Sequence, residues 1–157
     1  MRPTWAEIDL GALKHNFLIV KELVGAGVAI LSVVKADGYG HGAVEVSKTL
    51  VEAGTDMLGV ATVEEAMELR DYGIDIPIML LGGIRPEEAG LSVGNNMVPC
   101  LFSLDVARAL DKAASSENTT AVYHLKIDTG MTRLGVRPEE LTDFLKGLAE
   151  LKNIRMD

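Results

Sequence analysis

The feature that most limits the folds open to this chain is its rhythm. From Val28 onward, short apolar runs of strand length alternate with stretches of helical period, five times over. The runs are Val28–Val34, Met57–Ala61, Pro77–Leu81, Met97–Phe102 (weakened by Pro99) and Ala121–Asp128, and Ile154–Met156 opens one more. Runs this short, apolar and rich in β-branched residues predict strands buried on both faces, and strands alternating with helices predict a parallel sheet. Between them, helices are expected over Ala43–Ala53 and from Thr62 to about Tyr72, where Thr62 and Glu65 make the capping box T-x-x-E. Further helices are opened by Pro86, capped by Ser103 ahead of Val106, Leu110 and Ala113, and opened by Pro138 ahead of Leu141, Phe144, Leu145, Leu148 and Leu151. Before this rhythm starts, Trp5–Asp9 alternates like a short strand. Asp9 then suits a helix N-cap, and Leu10, Leu13, Phe17, Val20 and Val24 share one helical face until Gly25 and Gly27 end it.

Two α/β architectures accommodate the pattern. A five-stranded doubly wound parallel sheet is complete at 157 residues. A (β/α)8 barrel of the TIM type needs about 250 residues, so this would be its first five βα units. A strand that opens in the last few residues favours the barrel. The corresponding division is 1–26 for the amino-terminal strand and helix and 27–157 for an incomplete barrel.

Charge and composition narrow the function. Lys plus Arg is 15 against 23 for Asp plus Glu, a net −8, and aromatic residues make 4%. An acidic chain without a basic run or stacking residues is not expected to bind nucleic acid or an anionic membrane. Cys100 is the single cysteine, which excludes an intrachain disulfide and a cysteine-based zinc site. His15, His41 and His124 lack ligand spacing, so no metal site is expected. Neither a secretory leader nor an apolar stretch of about 18 residues is visible, and a cytoplasmic location is the expectation.

Two segments carry the chemistry. In the first, Lys35 ends an apolar strand ahead of Asp37-Gly38-Tyr39-Gly40-His41-Gly42. Active sites of parallel α/β folds lie at the carboxyl ends of the strands. A lysine there, with its stem among apolar groups, can serve as a Schiff-base nucleophile, or it can simply reach water. The glycines read G-x-G-x-G, which is neither the dinucleotide fingerprint nor a P-loop. They let backbone approach a ligand and free Tyr39 to face a site, or they make only a flexible turn. In the second segment, Tyr123 to Arg133, alternation puts His124, Lys126 and Asp128 on one strand face. Three polar groups on a buried strand are costly unless they face a functional interior, the other option being an edge strand with a wet face. Arg133 follows in the loop and suits a carboxylate or phosphate.

At these segments the chain resembles the alanine racemases, enzymes of pyridoxal 5'-phosphate. V-V-K-A-D-G-Y-G-H-G resembles that family's cofactor-lysine motif, H-L-K-I-D-T-G-M-T-R-L-G its second signature, and W-A-E-I-D-L-G-A-L-K-H-N its amino-terminal pattern. The resemblance implies the incomplete (β/α)8 barrel. It also implies interconversion of L- and D-alanine for peptidoglycan precursors, and a homodimer in the full-length family. By it, Lys35 carries the cofactor as an internal aldimine and acts as the base on the D-alanine face. Tyr39 contacts the cofactor phosphate, and Arg133 lies near the phenolic oxygen and the substrate carboxylate. Lys126 stands where some members carry a carbamylated lysine. The family's opposite base, a downstream tyrosine acting from the partner subunit, and its carboxyl-terminal β domain are not among these residues. The chain is therefore expected to behave as an amino-terminal fragment, inactive alone and prone to self-association. A short binding module without catalysis, and a cofactor carrier that does not racemise, are the alternatives.

Overall fold

The computed structural model describes residues 4–157. Six parallel strands form one sheet in the order β1-β2-β3-β4-β5-β6. They are β1 Leu31–Val33, β2 Met57–Val60, β3 Ile78–Leu80, β4 Met97–Leu101, β5 Ala121–Leu125 and β6 Ile154–Met156. Each strand neighbours the one made just before it. A doubly wound sheet reverses direction from an internal first strand. This sheet never does, which removes that alternative and leaves the barrel arc.

The helices are α1 Leu10–Val24, the single turn α2 Lys35–Gly40, α3 Ala43–Ala53, α4 Val63–Asp71, α5 Ala89–Gly94, α6 Leu104–Ser116 and α7 Leu141–Ala149. Short 3-10 turns at Pro86–Glu88 and Pro138–Glu140 lead into α5 and α7, where proline presets the first helical φ. Among the described residues no helix is long and apolar enough to cross a membrane.

Alternation divides the sheet into two sides. Leu58, Val60, Ile78 and Leu80 pack with Val46, Leu50, Ala66 and Leu69 of α3 and α4. Leu101 and Tyr123 pack with Leu110, Ala114, Phe144 and Leu148 of α6 and α7. Leu58, Leu69, Ile78, Leu80, Leu101 and Leu110 are fully buried, each contributing roughly 1.5–3 kcal/mol. The residues between them in sequence, Val33, Gly59, Leu81 and Cys100, turn to the other side, the concave interior of the arc. There a Cβ on Gly59 would meet Leu31, Leu81 and Val33 side chains.

Several elements differ from the pattern reading. Trp5–Asp9 is not a strand, and Trp5 is 77% exposed. Among the described residues no strand runs alongside it, and extended backbone without a ladder partner is only coil. The first barrel strand shrinks from Val28–Val34 to Leu31–Val33. Its pairing starts where Ile30 O accepts from Asp56 and Met57 N–H, whereas Val28 is exposed and its N–H turns back to Gly25 O. Asp9 caps α1 as expected, accepting from Ala12 N at 2.9 Å. Of that helix's apolar face, Leu10, Leu13 and Phe17 reach the core, whereas Val20 and Val24 stay largely exposed. Ser103 sits at the N-cap of α6 without a side-chain cap bond. Only half of the Thr62/Glu65 box forms. Thr62 Oγ1 accepts from Glu65 N, but the Glu65 carboxylate bonds elsewhere. Pro99 is accommodated inside β4 because the strand changes partners there. Met97 to Pro99 align with β3, and Cys100 and Leu101 align with β5.

Candidate active site

All six strands point the same way, so their carboxyl ends form one rim. Lys35 leaves that rim from β1, and Lys126 and Arg133 leave it from β5.

Lys35 is half-buried. The ladder runs one residue past β1, with Val34 N donating to Gly59 O at 2.8 Å, and then the chain turns sharply. Ala36, Asp37, Gly38 and Tyr39 take φ of 52°, 53°, 60° and 57° with ψ of 36–53°, a full turn of left-handed helix. Three of the four are not glycine. At roughly 1–2 kcal/mol for each L-residue, the turn stores about 3–6 kcal/mol of strain. Strain of this kind persists where surrounding contacts over-determine it, and it gathers at functional sites. Here the contacts are explicit. Gly38 N donates to Val34 O, Gly42 N to Asp37 O, and Ala43 N to Asp37 Oδ1, all within 2.8–3.0 Å. The His41 ring approaches Gly38 O at 2.9 Å through Nδ1. A carbonyl only accepts, so Nδ1 is the donor in this contact. Asp37 and His41 are thereby bound to the turn itself, while Tyr39 is left 59% exposed at its surface. A groove of about 580 Å³ lined by Ile8, Leu13, Val33, Tyr39, His41 and Leu50 borders the turn on its α1 side, away from Lys126 and Arg133.

The β5 end is built differently. Lys126 N donates to Leu101 O, extending the ladder with β4, and Val136 N donates to Lys126 O. Asp128 N in turn donates to Val136 O, closing residues 126–136 into a loop with a parallel bridge between Ile127 and Val136. Asp128 leaves the strand face on which alternation put it. Its Oδ1 accepts from Gly130 N at 3.0 Å and Thr132 N at 2.9 Å. Those two backbone donors hold its carboxyl below the usual carboxylate range. Asp128 is thus the organiser of the loop that carries Arg133. Gly135 closes the loop at φ +128°, where a Cβ would lie 2.5 Å from Asp128 N and 2.7 Å from Ile127 C.

His124 and Lys126 do share the interior side. His124 aligns with Cys100, whose thiol is pushed up by burial and drawn partly back by the Lys126 ammonium. Among the described residues His124 Nε2 has no hydrogen-bond partner, with Asp157 Oδ2 at 3.6 Å just out of reach. Lys126 and Arg133 are both exposed, and among the described residues neither is engaged in an ion pair. The rim therefore presents an amine on β1, a phenol on the left-handed turn, and an ammonium and a guanidinium from β5. Such a set suits a small ligand that offers a carbonyl carbon together with anionic groups.

Three features here lie beyond the residue pattern: the left-handed turn, the bonding of Glu65 and the closure at Gly135. The T-x-x-E spacing was the one local trace of Glu65, and it pointed to the helix cap. Gly135 stands in the second signature, yet nothing in its neighbours announces a backbone collision.

Comparison with known proteins reads the same way. The alanine racemase of Halothermothrix orenii is 47% identical over 156 residues, which cover 99% of this chain and 41% of that protein. The solved alanine racemase of Clostridium difficile 630 superposes with a TM-score of 0.90 at 40% identity, covering all of this chain and 42% of that one. The alanine racemase of Bacillus anthracis with bound L-Ala-P gives 0.89 at 35% identity, covering 100% and 41%. The chain thus spans about two-fifths of the length of the relatives it matches. With residues 8–157 matching the alanine racemase N-terminal domain, on a sheet and rim built as described, the chain belongs to that family.

Proposed function

We propose that this chain supplies the cofactor-lysine half of an alanine racemase site, binding pyridoxal 5'-phosphate through Lys35 for the interconversion of L- and D-alanine. The observation that carries the reading is Lys35 itself: a half-buried amine at a barrel strand's carboxyl end, held on a strained left-handed turn. The donor set fits the cofactor. Lys35 offers a primary amine to an aldehyde, the exposed Tyr39 hydroxyl suits a phosphate, and Arg133 offers a planar pair of donors to a phenolate or carboxylate. When bound, the cofactor supplies an electron sink for charge at the substrate's α-carbon.

The protein's part is proton handling and placement. Racemisation removes a proton from one face of the α-carbon and returns one to the other, which takes two placed groups. Lys35 Nζ is the group on one face, and the second lies outside the described residues. Arg133 orients the carboxylate. Lys126, sharing the rim with Arg133, repels it while it is an ammonium; as a carbamate it would pair with it. A homodimer, a cytoplasmic setting and use of D-alanine in peptidoglycan complete the reading.

The test is reduction with borohydride after incubation with pyridoxal 5'-phosphate, followed by peptide mapping. Label concentrated on Lys35, together with exchange of alanine's α-proton into deuterated water by the polypeptide as its gene encodes it, is the expected result. Label spread over surface lysines would refute it. For Lys126, substitution by alanine should lower turnover by about 10- to 100-fold, the scale of a lost charged partner, and short carboxylic acids should restore part of it. Turnover indifferent to both changes would leave Lys126 an ordinary rim lysine. The isolated 157-residue chain should self-associate at low micromolar concentration, because β1 and β6 each leave one ladder edge open. Sedimentation showing a monodisperse monomer would contradict this.

A further inference from the structure

The ladder between β1 and β2 ends in an unusual way. In a parallel pair with Val33 opposite Gly59, Val34 should donate to Gly59 O and accept from Ala61 N. The first bond forms. The second does not: the chain turns away here, and Val34 O accepts from Gly38 N at the start of the left-handed turn. Two N–H groups are left without ladder partners where the strands part: Ala61 N on β2's exit, and Ala36 N on the peptide that leaves Lys35. One carboxylate takes both. Glu65 Oε1 accepts from Ala36 N at 2.7 Å, and Glu65 Oε2 accepts from Ala61 N at 2.7 Å. Its own backbone is held by Thr62 Oγ1 at the first turn of α4.

We infer that Glu65 is a positioning residue for Lys35, its carboxylate replacing the missing ladder bond so that the chain can turn left-handed without losing the register that aims the amine. The role rests on the reading of Lys35 as the cofactor lysine. A carboxylate is the group the geometry calls for. Ionised, it only accepts, and its two oxygens meet two backbone donors. The amide of glutamine would meet one donor with oxygen and the other with N–H. The aspartate side chain is one methylene too short to span both strands.

Amide exchange tests the contact without any cofactor. In the unmutated polypeptide, Ala36 and Ala61 N–H should both be protected, though neither has a backbone acceptor. Glu65→Ala should speed both by about tenfold or more, and Glu65→Gln chiefly one of them, since bonds to charged acceptors are the strong ones. Exchange at free-peptide rates in the unmutated protein, or unchanged rates in Glu65→Ala, overturns the inference, and the first of these requires no variant that must fold. The consequence for Lys35 is read separately. With pyridoxal 5'-phosphate and borohydride, labelling of Lys35 relative to Lys48 in the same molecule should fall about tenfold in Glu65→Gln while the melting temperature holds. An unchanged ratio also overturns the inference. If the unmutated protein shows no preference for Lys35, the cofactor reading fails, and with it the positioning role assigned to Glu65, even where the exchange result shows the bridge itself to be present.

Discussion

Lys35→Arg is expected to remove alanine racemisation, by at least about a thousand-fold, in the polypeptide as its gene encodes it. Two losses combine. A guanidinium does not form the covalent link that a primary amine makes with an aldehyde. It also stays protonated at any pH the enzyme meets, so it cannot take a proton from an α-carbon. The fold should survive, because Lys35 is only half-buried and, among the described residues, bonds no other side chain. The useful contrast is therefore between turnover and melting temperature. Turnover within tenfold of the parent would sink the assignment of Lys35, whereas an unfolded variant would show that its stem is needed for packing.

Gly135→Ala should be nearly as damaging, for a reason remote from proton transfer. The new methyl would lie 2.5 Å from Asp128 N and 2.7 Å from Ile127 C, both backbone atoms with no rotamer to change. Either the bridge from Asp128 N to Val136 O opens, or the whole loop shifts. Strain and overpacking together cost about 2–5 kcal/mol, which for a chain of this size is a fall of roughly 5–15 °C in melting temperature. Misplacing Arg133 by about 1 Å should also lower alanine turnover about a hundred-fold. Gly130→Ala is the control. Its φ is also +128°, but a Cβ there meets nothing within 4 Å. It carries the conformational cost without the collision, so it should fall well short of Gly135→Ala. Equal effects of the two substitutions would mean that backbone strain, and not the closure against Asp128, governs the loop.

These two positions show what kind of information the amino-acid order holds. The place of Lys35 at a strand's carboxyl end was legible because its signal is local: an apolar run that ends in a cation, followed by glycines. The six strands and most helix ends were legible for the same reason, as with Asp9, whose cap bond spans three residues. What escaped depends on partners distant in the chain. Arg70 is an ordinary helix arginine by pattern. In the structure its guanidinium bonds the carbonyls of Ile74, Ile76, Asn95 and Asn96, tying α4 to the loop before β4. Glu65 reads as a helix cap because its spacing to Thr62 is right, yet its acceptor duty lies with Ala36, 29 residues away. Trp5–Asp9 fails in the opposite sense. Its alternation is correct for a strand, but a strand exists only alongside a second one.

The strand order has a consequence for how such a chain comes to be folded. Because β1 to β6 lie in the sheet in the order they are made, each new strand docks on one synthesised only about 19 to 33 residues earlier. From β2 to β6 no strand waits for its first partner, and the growing edge is covered as each next unit leaves the ribosome, while the outer edge of β1 stays open. The left-handed turn after β1 needs Glu65, so the lysine's geometry can be set only once α4 has emerged. Assembly would then advance as a moving front, with Lys35 locked into place only once the second βα unit has emerged.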